Sequence, residues 1–213
     1  MGEMSMSLSS GAVLLLLGAF HGINPGMGWL FAVALGMQEQ RRGAVWRALL
    51  PLGAGHALAV AAAVAVAVLA GAVIPVRNLR WPVAGILVAL GISRLIRHRH
   101  PRWVGMRVGI GRLTLWSFLM ASVHGAGLMV VPVFLSMTVA ESQQACHALT
   151  TSVPATAIFA TLLHALGYLL VTAIVALIVF EKLGVRILRK AWFNLDLVWA
   201  ASLSTTGLIT VLL

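Results

Sequence analysis

Phe20-His21-Gly22-Ile23-Asn24-Pro25-Gly26-Met27-Gly28 lies in the middle of 29 residues, 9–37, that contain no Asp, Glu, Lys or Arg. A bilayer core of about 30 Å is crossed by about 20 helical residues, so this stretch is long enough to span. Its centre breaks the pattern. Proline removes a backbone donor, and the glycines around it weaken a helix. Backbone groups freed at that depth must face protein, water or a ligand, because lipid offers no partner. A titratable ring, His21, stands one turn before the proline, and such groups inside apolar spans are costly and by default functional. The stretch reads as a broken membrane helix organised around a polar point.

The same elements return along the chain. Gly55-His56-Ala57-Leu58 follows His21 by 35 positions. Ser122-Val123-His124-Gly125-Ala126-Gly127-Leu128-Met129 opens a second set, and Leu163-His164-Ala165-Leu166-Gly167 follows His124 by 40 positions. Six charge-free stretches are found, at 9–37, 50–75, 81–93 (continuing past Arg94 to Ile96), 113–138, 154–179 and 197–213. The third and sixth are short, at the same place in each half. Three spans per half is an odd number, so two similar halves enter the membrane in opposite senses and place a site between them. The expected fold is an all-α membrane protein of six transmembrane helices. These form two inverted three-helix repeats, 1–105 and 106–213, in a single membrane domain with a broken first helix. Gly125, Gly127 and Pro132 predict a similar but gentler disruption in the fourth span.

Composition agrees. The chain is 61% hydrophobic and 9% charged, where soluble domains carry about 25% charged residues. The N-terminus has no basic n-region, so 9–37 is expected to be a retained span and not a cleaved leader. One cysteine, Cys146, excludes an internal disulfide and a CxxC redox site. The net charge of +10 is confined in position: 13 of the 15 Lys and Arg fall in alternate connections, around 41–47, 94–112 and 182–190. Only Arg77 and Arg80 lie on the other side. That asymmetry predicts an integral protein of a bacterial inner (plasma) membrane with both termini outside the cytoplasm. Lipid headgroups suffice as partners for the basic loops; no nucleic-acid partner is expected, and a homo-oligomer is compatible with these features.

His21, His56, His124 and His164 each lie 7–12 residues inside their stretches, and a rise of about 1.5 Å per residue puts them near the middle of the bilayer. The expectation is that spans one, two, four and five surround one centre. Neutral imidazole is the commonest transition-metal ligand and also titrates near neutral pH, so metal transport and proton coupling are the two readings. Hard ions are poorly served, since they want several oxygens and the spans hold no carboxylate. Met27 and Met129 follow the broken-span histidines, and imidazole with thioether suits softer ions, with Cu(I) the limit. Asn24, Pro25 and Gly26 are candidate substrate contacts through the opened backbone. Ser117, Ser122 and Thr161 are candidate secondary oxygen contacts.

Residues 18–32 and 50–63 resemble the first two signature regions of nickel/cobalt transporters and their urease-accessory relatives in the lysine-exporter superfamily. His21-Gly22-Ile23 and Leu52-Gly53-Ala54-Gly55-His56 carry the resemblance, and 122–129 is similar to the equivalent element of small six-span members. The resemblance implies transport of nickel or cobalt. Where that signature has acids and a second histidine, this chain has Asn24, Gly26 and Met27, which moves the expectation toward a softer ion such as copper.

The expected function is therefore a transporter, not an enzyme. It moves a transition-metal ion as substrate through His21, His56, His124 and His164, with no permanently bound cofactor. A small-organic-solute exporter with proton-carrying histidines is the alternative. Gly-x-Ser-x-Gly nucleophile sites and intramembrane His boxes are absent from the sequence, and zinc hydrolysis would need a carboxylate the spans lack. His98 and His100 read as interfacial, Cys146-His147 as loop residues, and Asp196 as a partner for a nearby cation. Trp29, Trp81, Trp103, Trp192 and Trp199 read as interfacial anchors.

Overall fold

The computed structural model describes residues 2–96, 109–144, 149–183 and 195–212. Eight α-helices and no strand occur among them. The helices are α1 (Gly2–Ile23), α2 (Trp29–Glu39), α3 (Arg42–Gly71), α4 (Val76–Ile96), α5 (Ile110–Val123), α6 (Ala126–Gln144), α7 (Leu149–Ile178) and α8 (Leu195–Leu212). A three-residue 3-10 turn, Pro25–Met27, separates α1 from α2, and a π turn, Val179–Leu183, closes α7.

Two helices are long and apolar enough to cross a membrane alone: Arg42–Gly71 and Val153–Lys182, with mean hydropathies of 2.1 and 2.5. Gly111–Val123 and Ala126–Val139 qualify as a third crossing if taken together, although they bend by 63°. Ser9–Ile23, Asn78–Ser93 and Val198–Val211 are apolar but shorter. Backbone breaks divide the first and fourth charge-free stretches, and the third and sixth remain short. The all-helical chain with two to three crossing-length helices is consistent with a membrane protein. Its outer faces agree, with Leu50, Val66 and Leu69 of α3 and Ile158, Leu162 and Ile174 of α7 all exposed.

The first break is built locally. The Asn24 side-chain oxygen accepts from the Gly26 N–H at 2.9 Å, which favours a turn over continued helix. Pro25 opens the 3-10 turn, and Gly28 leaves it at φ +133°, a backbone conformation that suits glycine. The second break was expected to be the gentler one. It bends by 63°, and its cause is Gly125 at φ +71°. Pro132 lies inside α6 without ending it.

Helix pairing follows small residues. α1 packs chiefly on α7, α3 on α5 and on α7, and α4 on α8. A Cβ on Gly18 would overlap the His164 carbonyl oxygen, and one on Gly22 would sit 2.6 Å from that of Tyr168. A Cβ on Gly55 would overlap the Thr114 carbonyl oxygen. Gly22, which reads in sequence as a helix-weakening residue, is thus a point of close backbone approach, as small residues are where membrane helices pack tightly. The larger core contains Met27, Leu87, Met129, Phe134, Tyr168, Trp199 and Leu203; a second surrounds Trp29, Val45, Leu52 and Val179.

Candidate functional site

The glycine contacts between α1 and α7 bring His21 close to His164, and the α3–α7 contact adds His56. The ring centroids stand 5.1 Å apart for His21 and His164, 5.3 Å for His56 and His164, and 5.7 Å for His21 and His56. All three side chains are fully buried. His21 is oriented by its own helix, since its Nδ1–H donates to the Leu17 carbonyl at 2.6 Å. That bond fixes the neutral tautomer and leaves Nε2 with a free lone pair. Nε2 of His21 and both ring nitrogens of His56 and His164 are buried without a hydrogen bond. The Leu14 carbonyl lies near the His164 ring but closes no well-formed bond with it.

His124 reaches this trio across Trp199. The indole lies 4.8 Å from the His21 ring and 5.3 Å from the His124 ring, edge-on to both, and stacks on Phe20 at 4.8 Å. His124 repeats the His21 arrangement, with Nδ1 on the Met120 carbonyl at 2.8 Å. Thus α1, α3 and α7 deliver three histidines to one point. His124, at the C-terminus of α5, stands one aromatic ring away.

Two tryptophans expected at the membrane interface are interior instead. Trp29 and Trp199 are 6% and 3% exposed. Each indole N–H caps a carbonyl at a break: Trp29 donates to Ile23 at 2.9 Å and Trp199 to His124 at 2.9 Å. Each break leaves a helix C-terminus with unsatisfied carbonyls, and a buried indole is a matching donor. Trp81 is 54% exposed, as an anchor would be. No sequence signal distinguished Trp199 from an anchor, because it sits near the start of a short apolar stretch.

The remaining candidates divide clearly. Met27 and Met129 are buried core residues. Asn24 is 8% exposed, and its oxygen already holds the Gly26 amide, so a ligand at Asn24, Pro25 or Gly26 would compete with the turn. The hydroxyls of Ser117, Ser122 and Thr161 donate to the Leu52, Phe118 and Ala157 carbonyls. Their oxygens serve the backbone. His98, His100, Trp103, Cys146, His147 and Trp192 lie outside the described residues, as does the side chain of Asp196.

No family model, curated protein or solved structure matches the chain. The site is therefore read from its own chemistry. Imidazole nitrogens bind first-row ions at about 2.0–2.1 Å, which puts the centroids of two ligand rings roughly 5 Å apart. The trio has that spacing. The His56 and His164 rings lie within 12° of parallel. Among the described residues, no three His, Cys, Asp or Glu side chains are set to hold a metal ion in this conformation.

Proposed function

We propose that the chain is a six-span membrane transporter that moves a transition-metal ion through His21, His56 and His164, with His124 as a neighbouring station. One observation carries the reading: five imidazole nitrogens on three helices are buried together without partners. Leaving a buried polar group unsatisfied costs about 1–3 kcal/mol, and an ion that accepts one lone pair from each ring relieves that cost at three of the five nitrogens. The ring spacings of 5.1–5.7 Å match those of imidazoles that share one ion. Capture requires the rings of the cluster to move, so the ion is not gripped in every state, as passage demands.

The donor set is neutral, and no carboxylate is available in the apolar stretches. Nitrogen ligands suit nickel, cobalt and copper, and a neutral set favours an ion of low charge. The resemblance of 18–32 and 50–63 to nickel/cobalt transporters points to the same class of substrate. Helix pairing supports two inverted halves. The first helix of each half packs on the second long helix of the other, α1 on α7 and α5 on α3, while the third helices, α4 and α8, pair with each other.

Calorimetric titration of the purified protein with Ni(II), Co(II) and, under reductant, Cu(I) tests the proposal. His21→Ala, His56→Ala and His164→Ala should each abolish high-affinity binding, and double variants should lose little more, because residues of one site are strongly non-additive. His124→Ala should weaken binding less. Binding should weaken in acid, where protons compete for the same lone pairs. Metal-free protein that exports a small organic solute at full rate would instead establish the lysine-exporter-type alternative. Metal uptake into liposomes by the protein alone would exclude a purely accessory role.

A further inference from the structure

Tyr168, the chain's single tyrosine, touches both the histidine cluster and the first break. Its ring lies face to face on His56, with centroids 3.9 Å apart and planes within 7°. Its hydroxyl donates to the Met27 carbonyl at 2.7 Å, across 141 residues of sequence. Met27 is the last residue of the 3-10 turn that separates α1 from α2.

We propose that Tyr168 is a positioning residue that transmits occupation of the histidine cluster to the break at residues 24–28. The inference rests on the transport reading above. No three side chains among the described residues are set to hold an ion in this conformation, so binding moves the rings of the cluster, His56 or His164 among them. Either motion acts on Tyr168: His56 through the stacked face, His164 from one turn earlier on the same helix. The tyrosine ring is wholly buried and has no solvent into which to swing. Its helix is held as well, because Gly18 and Gly22 of α1 lie directly against the backbone at His164 and Tyr168.

The remaining freedom lies along the hydroxyl, toward Met27. The turn there is short and left by a glycine at φ +133°. Besides its own backbone bonds, three side chains among the described residues tie it: Trp29 to the Ile23 carbonyl, Asn24 to the Gly26 amide, and Tyr168 to the Met27 carbonyl. Only the Tyr168 tie comes from outside the segment. Changing it alters the break without disturbing the two local ties.

Because the chain has one tyrosine, biosynthetic 3-fluorotyrosine labels position 168 alone and keeps both the ring and its hydroxyl. Titration with Ni(II) or Cu(I) should move its fluorine resonance in step with metal binding. Hydrogen exchange of the segment 21–29 should change in the same titration, by about tenfold at Gly26, Met27 and Gly28, the effect of one hydrogen bond. Tyr168→Phe keeps the stacked ring and removes the hydroxyl. It should bind metal with near-native affinity, lose transport, and show the same exchange with and without metal. A fluorine resonance that stays fixed while metal binds would overturn the coupling. So would Tyr168→Phe with a native metal-dependent exchange change. Absence of metal binding by the unsubstituted protein would instead overturn the transport reading itself.

Discussion

At the scale of single residues, the site depends on atoms that are missing as much as on those present. His21 and His164 stand 5.1 Å apart because Gly18, one turn before His21, has no side chain to hold α7 away. Gly18→Ala places a methyl group against the His164 carbonyl oxygen, and backbone, unlike a flexible side chain, does not move aside. Overpacking of this kind costs about 1–3 kcal/mol. Gly18→Ala should lower the melting temperature in detergent and weaken metal binding about 10–100-fold, as loss of a ligand's supporting contact does. Gly85→Ala is the control, with nothing within 4 Å of the added carbon. It should leave binding unchanged and stability equal or better by up to about 1 kcal/mol. The histidines were legible because a polar ring stands out in an apolar run. Tyr168 and Trp199 were not, since an aromatic residue in such a run looks the same whether it faces lipid, caps a carbonyl or lies on an imidazole.

At the scale of elements, the two breaks differ in construction. The first uses a side-chain-capped turn with Pro25 and Gly28, and the second uses Gly125 alone. Gly28→Ala forces a methyl-bearing residue to φ +133° and brings its Cβ within 2.6 Å of Leu52. It should cost about 1–3 kcal/mol and reduce transport. Gly26→Ala meets nothing nearer than 3.3 Å and should be mild in thermal melts. Loss of transport in a well-folded Gly26→Ala protein would instead place the cargo against the turn, the role expected for Asn24, Pro25 and Gly26 from sequence. The first break could be read in advance because Asn-Pro-Gly states its own geometry. The second was harder to read, because a lone glycine inside an apolar helix is as often a packing point, as Gly127 is against Ala63.

At the scale of the whole molecule, the described ion pairs gather near the α2–α3 connection. Arg41 and Arg47 both meet Glu39, and Arg42 meets Glu181 in the π turn after α7, at 2.8 Å. These pairs are well exposed, so each contributes at most about 1 kcal/mol. Their position matches the basic side that the charge distribution assigns to the cytoplasm. Thiol labelling tests that orientation in a Cys146→Ser background. Glu3→Cys should react with an impermeant reagent from outside, and Arg99→Cys only after permeabilisation; the reverse pattern would invert the topology.

The pairing of α1 with α7 also bears on how the chain is made. While the second half is still being synthesised, His21, Gly18 and Gly22 of α1 have no α7 to pack against. The surface that covers them, and the hydroxyl that ties down Met27, have not yet been synthesised. Neither half holds a complete interior alone, so the nascent protein passes through a stage in which its most polar and least bulky faces lie bare. A copy truncated before α7 would keep those faces bare.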